Sequence, residues 1–224
     1  MELRRGSAVR MSGAAALALA LATLALPVAA QVASLGKGLL TVEVGQGSAP
    51  VGGIAAQVAT PGDSAPRDTR HGTAFRFLAG YQFAEQVSVE VGVGRLGTFH
   101  SSAVYNGTDV LNAEDSLVVI EGDLVGHFPL TANTRVDLTL GLAESALKTT
   151  LTTQHGSALA ADQPGTDNVR RLGPTAGVDF EWRLGDVSSV IVGYHIYPRV
   201  GSPDLRDSAS GTAKAILAGL KFEF

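Results

Sequence analysis

The chain contains no cysteine, few aromatic residues and little charge for its length. Its 224 residues include 27 glycines, but only 6% are aromatic and 17% are charged. The absence of cysteine excludes disulfides, thiolate metal sites, iron–sulfur clusters and thiol catalysis. A formal net charge of −4 argues against a nucleic-acid-binding protein, which would need a basic surface. The mean hydropathy of +0.19 is nevertheless high for a soluble domain, so the position of the apolar residues matters.

The N-terminal residues have the pattern of a secretory signal peptide. Three arginines precede an uncharged run, rich in Ala and Leu, that ends at Val28. Small residues follow, as signal peptidase requires, and we predict cleavage between Ala30 and Gln31. The run has about 16 residues, whereas a membrane-spanning helix needs about 20, which argues against an uncleaved anchor. The predicted organisation is a signal peptide over residues 1–30 and one domain over residues 31–224.

Beyond residue 31 the sequence alternates between apolar residues and polar residues or glycine, which is the period of a β-strand. Most of the alternating segments have about 10–14 residues, which is long for a soluble strand but enough to cross a bilayer. The eight segments are 37–46, 72–83, 87–98, 116–128, 134–146, 171–184, 188–199 and 212–224.

The connections between these segments alternate between long and short. Three short ones, at 84–86, 129–133 and 185–187, can each close an antiparallel hairpin. The four long ones have about 25, 17, 24 and 12 residues, and long loops on one rim with short turns on the other are typical of bacterial outer-membrane barrels. We therefore predict an all-β fold, an eight-stranded antiparallel up-and-down transmembrane β-barrel with both termini on the periplasmic side.

The two faces of the predicted strands differ in size and charge. One set of alternate positions is bulky and uncharged, as at Phe75 and Phe77, and the other set mixes charge with glycine. A soluble eight-stranded barrel such as a lipocalin has no reason to carry many glycines outside, because glycine weakens strands. The interior of such a barrel is only just wide enough for side chains, so we place the charged and small residues inside.

Buried charges need partners, so we expect a plug of ion pairs inside the barrel. Hairpin geometry places His127 opposite Arg135 across one short turn and His195 diagonal to Asp179 across another. The predicted interior charged and titratable residues are Glu43, Arg76, Glu90, Glu121, Asp123, His127, Arg135, Asp137, Asp179, Glu181, His195 and Lys221.

Aromatic residues cluster near the predicted short-turn rim, as in the interfacial girdle of a membrane barrel. The residues of this girdle are Phe83, Phe128, Phe180, Trp182, Phe222 and Phe224. A weaker girdle at the opposite rim would comprise Phe99, Tyr105 and Tyr197.

The C-terminal segment alternates apolar residues and ends in phenylalanine, with Leu220, Phe222 and Phe224 on one face. It resembles the assembly signal of small eight-stranded outer-membrane barrels, the family of the OmpA transmembrane domain and OmpX. The resemblance covers about residues 37–224. It implies recognition by the barrel-assembly machinery, contact with outer-membrane lipid and a place in the Gram-negative cell envelope after signal-peptide export.

For a barrel of this kind we expect a structural or surface-interaction role, with the four long extracellular loops available to an outside ligand. The alternative is a porin-like narrow pore or a conduit for small molecules. We expect a monomer that binds neither nucleic acid nor a cofactor.

Two kinds of chemical site are weighed against this expectation. Lipid A deacylases use a His-x-Ser pair, and His155 and Ser157 have this spacing, with Asp162 or Asp167 able to orient the histidine. In that family the pair precedes the last strand, whereas two more predicted strands follow it here, so we predict no catalytic residues. The histidines are too widely spaced for a metal motif, so no metal site is expected; they are His71, His100, His127, His155 and His195.

Overall fold

A computed structural model describes residues 36–49, 67–105, 109–153, 166–200 and 211–224. The predicted signal peptide, with Ala30 and Gln31, lies outside these residues and stays a prediction. No helix in the described part of the chain is long and apolar enough to cross a membrane. The strands are β1 (Lys37–Ser48), β2 (Arg67–Thr69), β3 (His71–Ala84), β4 (Val87–Tyr105), β5 (Asp109–Pro129), β6 (Thr134–Thr153), β7 (Thr166–Arg183), β8 (Ser188–Val200) and β9 (Gly211–Glu223).

These strands form one closed antiparallel barrel, as predicted. The order β3-β1-β9-β8-β7-β6-β5 is completed by β4, which pairs with both β3 and β5. The short β2 also pairs with β4 and is separated from β3 by Arg70 alone, so the two count as one strand of the barrel wall. The first and last strands, β1 and β9, pair along their length and close the wall.

The outer surface of the barrel carries an apolar belt. On β6 the belt ends after Leu142, because the next outward residues are Glu144, Ala146 and Lys148. Large apolar side chains with at least a third of their surface exposed would be costly in water but suit a lipid environment. The belt comprises Val42, Val44, Phe75, Phe77, Val89, Val91, Val93, Val118, Ile120, Leu124, Leu138, Leu140, Leu142, Leu172, Val178, Phe180, Val190, Val192, Ile216 and Leu220.

Several strands continue far beyond the belt. The predicted long loop between residues 98 and 116 is wrong, since β4 runs to Tyr105 and β5 begins at Asp109, and these two residues pair. β4 and β5 therefore have 19 and 21 residues. The outward face of this part of the hairpin is polar, and the inward face mixes apolar residues such as Leu111 with polar ones such as Asp115, so hydropathy alone does not distinguish it from a loop.

The turn between β5 and β6 sets a different register from the predicted one. Pro129 pairs with Arg135, so His127 lies opposite Asp137, and the prediction that it lies opposite Arg135 is wrong. The turn is shorter than expected because the Thr131 hydroxyl accepts hydrogen bonds from two of the backbone N–H groups that follow it. The observed register gives His127 a carboxylate partner in place of the Arg135 guanidinium.

A β-bulge in β4 reverses the direction of the side chains beyond it. The pairing with β5 shifts between Arg95 and Gly97, where the positive φ of 148° favours glycine. The extra residue turns Phe99 into the interior, where it is buried, because a one-residue slip exchanges the two faces of a strand. Tyr197 is buried inside as well, so neither residue belongs to an outer aromatic girdle.

Arginine in the middle of the belt is expected to destabilise the barrel. Leu140 is 67% exposed to lipid, and Leu140→Arg should lower the free energy of unfolding by about 2–4 kcal/mol, the cost of a cation near the bilayer midplane. Thr152→Arg, outward on the same strand but beyond the belt, should change it by less than about 0.5 kcal/mol. Denaturant titration in lipid vesicles measures both changes, and equal effects would contradict the position of the belt.

Candidate functional site

The interior of the barrel is the largest concentration of charged side chains in the described residues. Of the twelve predicted interior residues, all but Arg135 are buried, and Arg135 is half-buried near the short-turn end. They occupy the inward positions of β1 and β3 to β9, in alternation with the residues of the belt.

Arg76 joins three strands at the centre of the interior. Its Nε donates to Glu121 Oε1 at 2.7 Å, its Nη1 to Glu43 Oε2 at 3.2 Å and its Nη2 to Asp123 Oδ2 at 3.0 Å. Glu43 lies on β1, and both other carboxylates lie on β5. The planar guanidinium can serve several acceptors at fixed angles, which a lysine could not do as well. Charge-assisted hydrogen bonds of this kind are about twice as strong as neutral ones.

His195 extends this group of side chains toward β7 and β8. Its Nε2 lies 2.9 Å from Asp179 Oδ1 and 3.1 Å from Arg76 Nη1. The diagonal arrangement of Asp179 and His195 is the predicted one, since Asp179 pairs with Gly193. A Cβ atom at Gly193 would collide with the Asp179 carboxylate, so this glycine makes room for the charge. We call Arg76, Glu43, Glu121, Asp123, Asp179 and His195 the Arg76 cluster.

A second group of charges, the Lys221 cluster, lies closer to the short-turn end. Lys221 Nζ is 3.0 Å from Asp137 Oδ2, 3.5 Å from Glu90 and 3.6 Å from Glu181. Arg135 reaches Glu181 at 2.8 Å and Asp137 at 3.2 Å. The remaining members are His127, 2.8 Å from Asp137, and Glu223, 3.0 Å from Arg135.

An apolar layer fills the interior on the side of the long connections, and the sequence analysis missed it. Inward residues change from charged to apolar along β5, from Glu121 to Val119 and Leu117. The sequence signal was the unbroken apolar run over residues 117–120, which is the pattern of a strand buried on both faces. The layer consists of Ala49, Ala74, Leu96, Phe99, Leu117, Val119, Ala143, Leu147, Tyr197, Val200, Ala213, Ala215 and Leu217.

The two parts of the interior are connected by one hydrogen bond. The Tyr197 hydroxyl, at the lower edge of the apolar layer, donates to Glu121 Oε2 at 3.3 Å. The void between the two charged clusters, beside Arg76 and Lys221, leaves only about 20 Å³ for the centre of a water molecule, which is room for about one water. The described interior is therefore a packed core and not an open channel.

The Arg76 cluster contains a set of atoms that resembles a metal site. Ligand atoms of Glu43, Asp179 and His195 lie within 4.8 Å of one another, and nitrogen with carboxylate oxygen is a donor set that zinc accepts. Arg76 Nη1, however, is 3.2 Å from the Glu43 carboxylate and 3.1 Å from His195 Nε2. The guanidinium already supplies the positive charge that a metal would bring, so these residues form an ion-pair network.

The other predicted site residues are placed as follows. Leu220, Phe222 and Phe224 point outward and are exposed, and Phe224 exchanges backbone hydrogen bonds with Gly38 on β1. The C-terminal segment therefore takes part directly in closure of the barrel. The His155–Ser157 pair and Asp162 lie outside the described residues, as does the side chain of Asp167.

A closed barrel with a lipid-facing apolar belt and a packed charged interior is an integral membrane protein that crosses the bilayer with strands. Residues 16–224 match the model of the outer membrane protein beta-barrel domain family, and the chain belongs to this family. The protein is therefore an integral β-barrel of the bacterial outer membrane.

Several solved structures have a similar chain path at low sequence identity. Ail, the attachment invasion locus protein of Yersinia pestis, is 9% identical, with 84% of this chain and 99% of that chain covered and a TM-score of 0.45. Neisserial surface protein A is 12% identical, with 84% of this chain and 97% of that chain covered and a TM-score of 0.49. OprG from Pseudomonas aeruginosa is 13% identical, with 85% of this chain and 96% of that chain covered and also a TM-score of 0.49. No curated protein matches the sequence.

Removal of the Arg76 guanidinium should leave buried carboxylates without a partner. We expect Arg76→Met to lower the free energy of unfolding by about 3–5 kcal/mol, the usual cost of breaking a buried pair. Lys148→Met removes an exposed outward cation and should cost less than about 1 kcal/mol. Denaturant titration of the folded protein in vesicles measures both values.

A double-mutant cycle with Glu121 tests whether the loss comes from the unpaired charge. Glu121→Gln in the Arg76→Met background should recover part of the lost stability, because it removes one uncompensated carboxylate. Strictly additive effects of the two substitutions would contradict a direct interaction between these side chains.

Proposed function

We propose that this outer-membrane barrel has a structural or surface-interaction role, carried by the strand extension beyond the belt. This outer extension consists of the parts of β4 to β7 that lie beyond the belt, on the side of the long connections. The last pair of β4 and β5 is Tyr105 with Asp109, and the last pair of β6 and β7 is Thr150 with Thr166. Continuous pairing holds the extension as a sheet, so its surface is arranged before any partner binds. The single closed barrel is proposed to act as a monomer.

The outward face of this extension is polar, which supports a role in contact with water and other molecules. His100, Asn112, Glu114, Thr150 and Thr152 line a shallow depression that runs across β4, β5 and β6. Both hydrogen-bond donors and acceptors are present, and no large apolar side chain lies among them. A surface that only separated the barrel from solvent would not need three strands held in register well beyond the membrane.

A shortened β4–β5 hairpin tests this role. Ser102 pairs with Asn112, so replacement of residues 103–111 by Asn-Gly should close the shorter hairpin with a two-residue turn. The variant should fold with unchanged heat-dependent gel mobility and preserve resistance of cells to detergents, because the barrel is intact. Adherence of cells to a solid surface should fall several-fold relative to cells with the full chain.

The control is a full-length variant with Asn106→Ser and Thr108→Ser, which keeps the paired residues up to Tyr105 and Asp109 and changes only the connection between them. Adherence that is equal in all three strains, with equal amounts of protein in the outer membrane, would contradict a surface-interaction role. Loss of detergent resistance only in cells that lack the whole chain would then favour the structural role alone.

The packed interior argues against the alternative of a pore. The apolar layer and the two charged clusters fill the described interior in succession, and an eight-stranded barrel has little room beyond its own side chains. We expect no stepwise ion conductance when the purified protein is inserted into planar bilayers. Conductance steps that change with Arg76→Met would instead show that ions pass through the charged clusters.

A further inference from the structure

One cation of the described barrel points outward into the lipid-facing surface. Arg95 on β4 lies opposite Phe75 on β3 and Val118 on β5, and both of these neighbours belong to the apolar belt. Val93, the next outward residue toward the centre of the belt, is 49% exposed. Arg95 therefore stands at the upper boundary of the belt, at the end of the barrel that carries the long connections.

The Arg95 guanidinium is only partly satisfied by the protein. Its Nη2 donates to the Thr98 hydroxyl, while its Nε is buried from water and has no hydrogen-bond partner among the described residues. No carboxylate within the described residues forms an ion pair with it; its nearest outward neighbours are uncharged. The positive charge of Arg95 is therefore not neutralised within the described residues, and an anionic group from another molecule would stabilise it at the edge of the belt.

The surroundings of Arg95 form a groove that is open to lipid. Thr73, Phe75, Arg95 and Thr98 line a space of about 290 Å³ on the outer surface of β3 and β4. Two hydroxyls and a guanidinium lie at its upper part, and the Phe75 ring, 51% exposed, forms its lower wall. A ligand that fits must have an anionic or hydrogen-bonding head and an apolar remainder.

The β-bulge builds this arrangement. In a regular strand Arg95 and Gly97 would share the outward face, but the register shift between them places Thr98 beside Arg95. A Cβ atom at Gly97 would meet the Phe99 ring of the apolar layer, so the bulge is supported from inside the barrel. Bulges commonly re-aim side chains next to functional sites.

We propose that the groove at Arg95 binds the phosphate of an anionic lipid in the outer leaflet. The guanidinium presents parallel N–H donors that match phosphate oxygens, and the hydroxyl-bearing Thr73 and Thr98 line the same groove. The acyl chains of the lipid would lie along Phe75 and Val93 in the belt. The exposed Phe75 ring and the position of the groove at the edge of the apolar belt favour a lipid over a soluble phosphate.

The test uses the full chain folded in neutral maltoside micelles, titrated with lipid A or with dephosphorylated lipid A. Binding is followed by the side-chain N–H resonance of Arg95 Nε and by native mass spectrometry of retained lipid. We expect the phosphorylated lipid to bind about tenfold more tightly than the dephosphorylated one. The Nε resonance should shift only with the phosphorylated lipid.

Two substitutions separate a specific site from general attraction. Arg95→Gln should abolish the preference for phosphate, whereas Lys214→Gln, which removes an exposed outward cation on β9, should preserve it. Thr98→Val retains the charge of Arg95 and should weaken the preference for phosphate. This variant replaces Arg95→Gln in the test if Arg95→Gln does not fold, as judged by heat-dependent gel mobility. The preference should survive at high salt better than the attraction of the lipid to exposed cations elsewhere on the surface.

Three results would overturn the proposal. The first is equal affinity of the wild-type protein for the two lipids. The second is an equal loss of affinity in Arg95→Gln and Lys214→Gln, which would show unspecific electrostatic attraction to the rim. The third is displacement of the lipid by inorganic phosphate at comparable concentration, which would show a site for a free anion.

Discussion

Hydrocarbon offers no hydrogen-bond partner to a backbone, so a strand crosses a membrane only when both of its edges are paired. In this protein the condition is met where the first and last strands of the barrel pair. Gly38 and Phe224 exchange backbone hydrogen bonds of 2.7 and 3.0 Å, and β1 pairs with β9 along its length. Closure with eight strands fixes a narrow radius, and every inward side chain must fit within it.

The narrow interior explains why glycine and charge alternate along the strands. In the described interior, Arg76, Arg135 and Lys221 each contact three carboxylates. Small residues leave space for these carboxylates, as Gly141 does beside Asp123 and Gly80 beside Glu90. The pairs link strands that are far apart in sequence across the lumen. Above them the apolar layer closes the interior by packing, with one hydrogen bond from Tyr197 to Glu121, and it separates the charged clusters from the outer side.

The outer extension and the Arg95 groove both arise where the regular pattern ends. Beyond the belt the strands keep their hydrogen bonds but lose their apolar outward face, so the same sheet passes from lipid to water. The bulge at Gly97 lies at this boundary and has two effects: it turns Phe99 into the apolar layer and aligns Thr98 with Arg95 outside. One inserted residue thus supports the core and shapes the surface.

The alternation of apolar and polar residues along the sequence was sufficient to predict the membrane strands, their two faces and the charged residues that meet inside. The reason is that every second side chain of such a strand faces lipid and must be apolar. The alternation also predicted that Asp179 and His195 are neighbours, since a three-residue turn leaves little choice of register. The partner of His127, the inward turn of Phe99 and the length of β4 and β5 required the tertiary structure. These features depend on a hydroxyl in a turn, on a bulge and on hydrogen bonds between polar strands, none of which changes the hydrophobic pattern of the sequence.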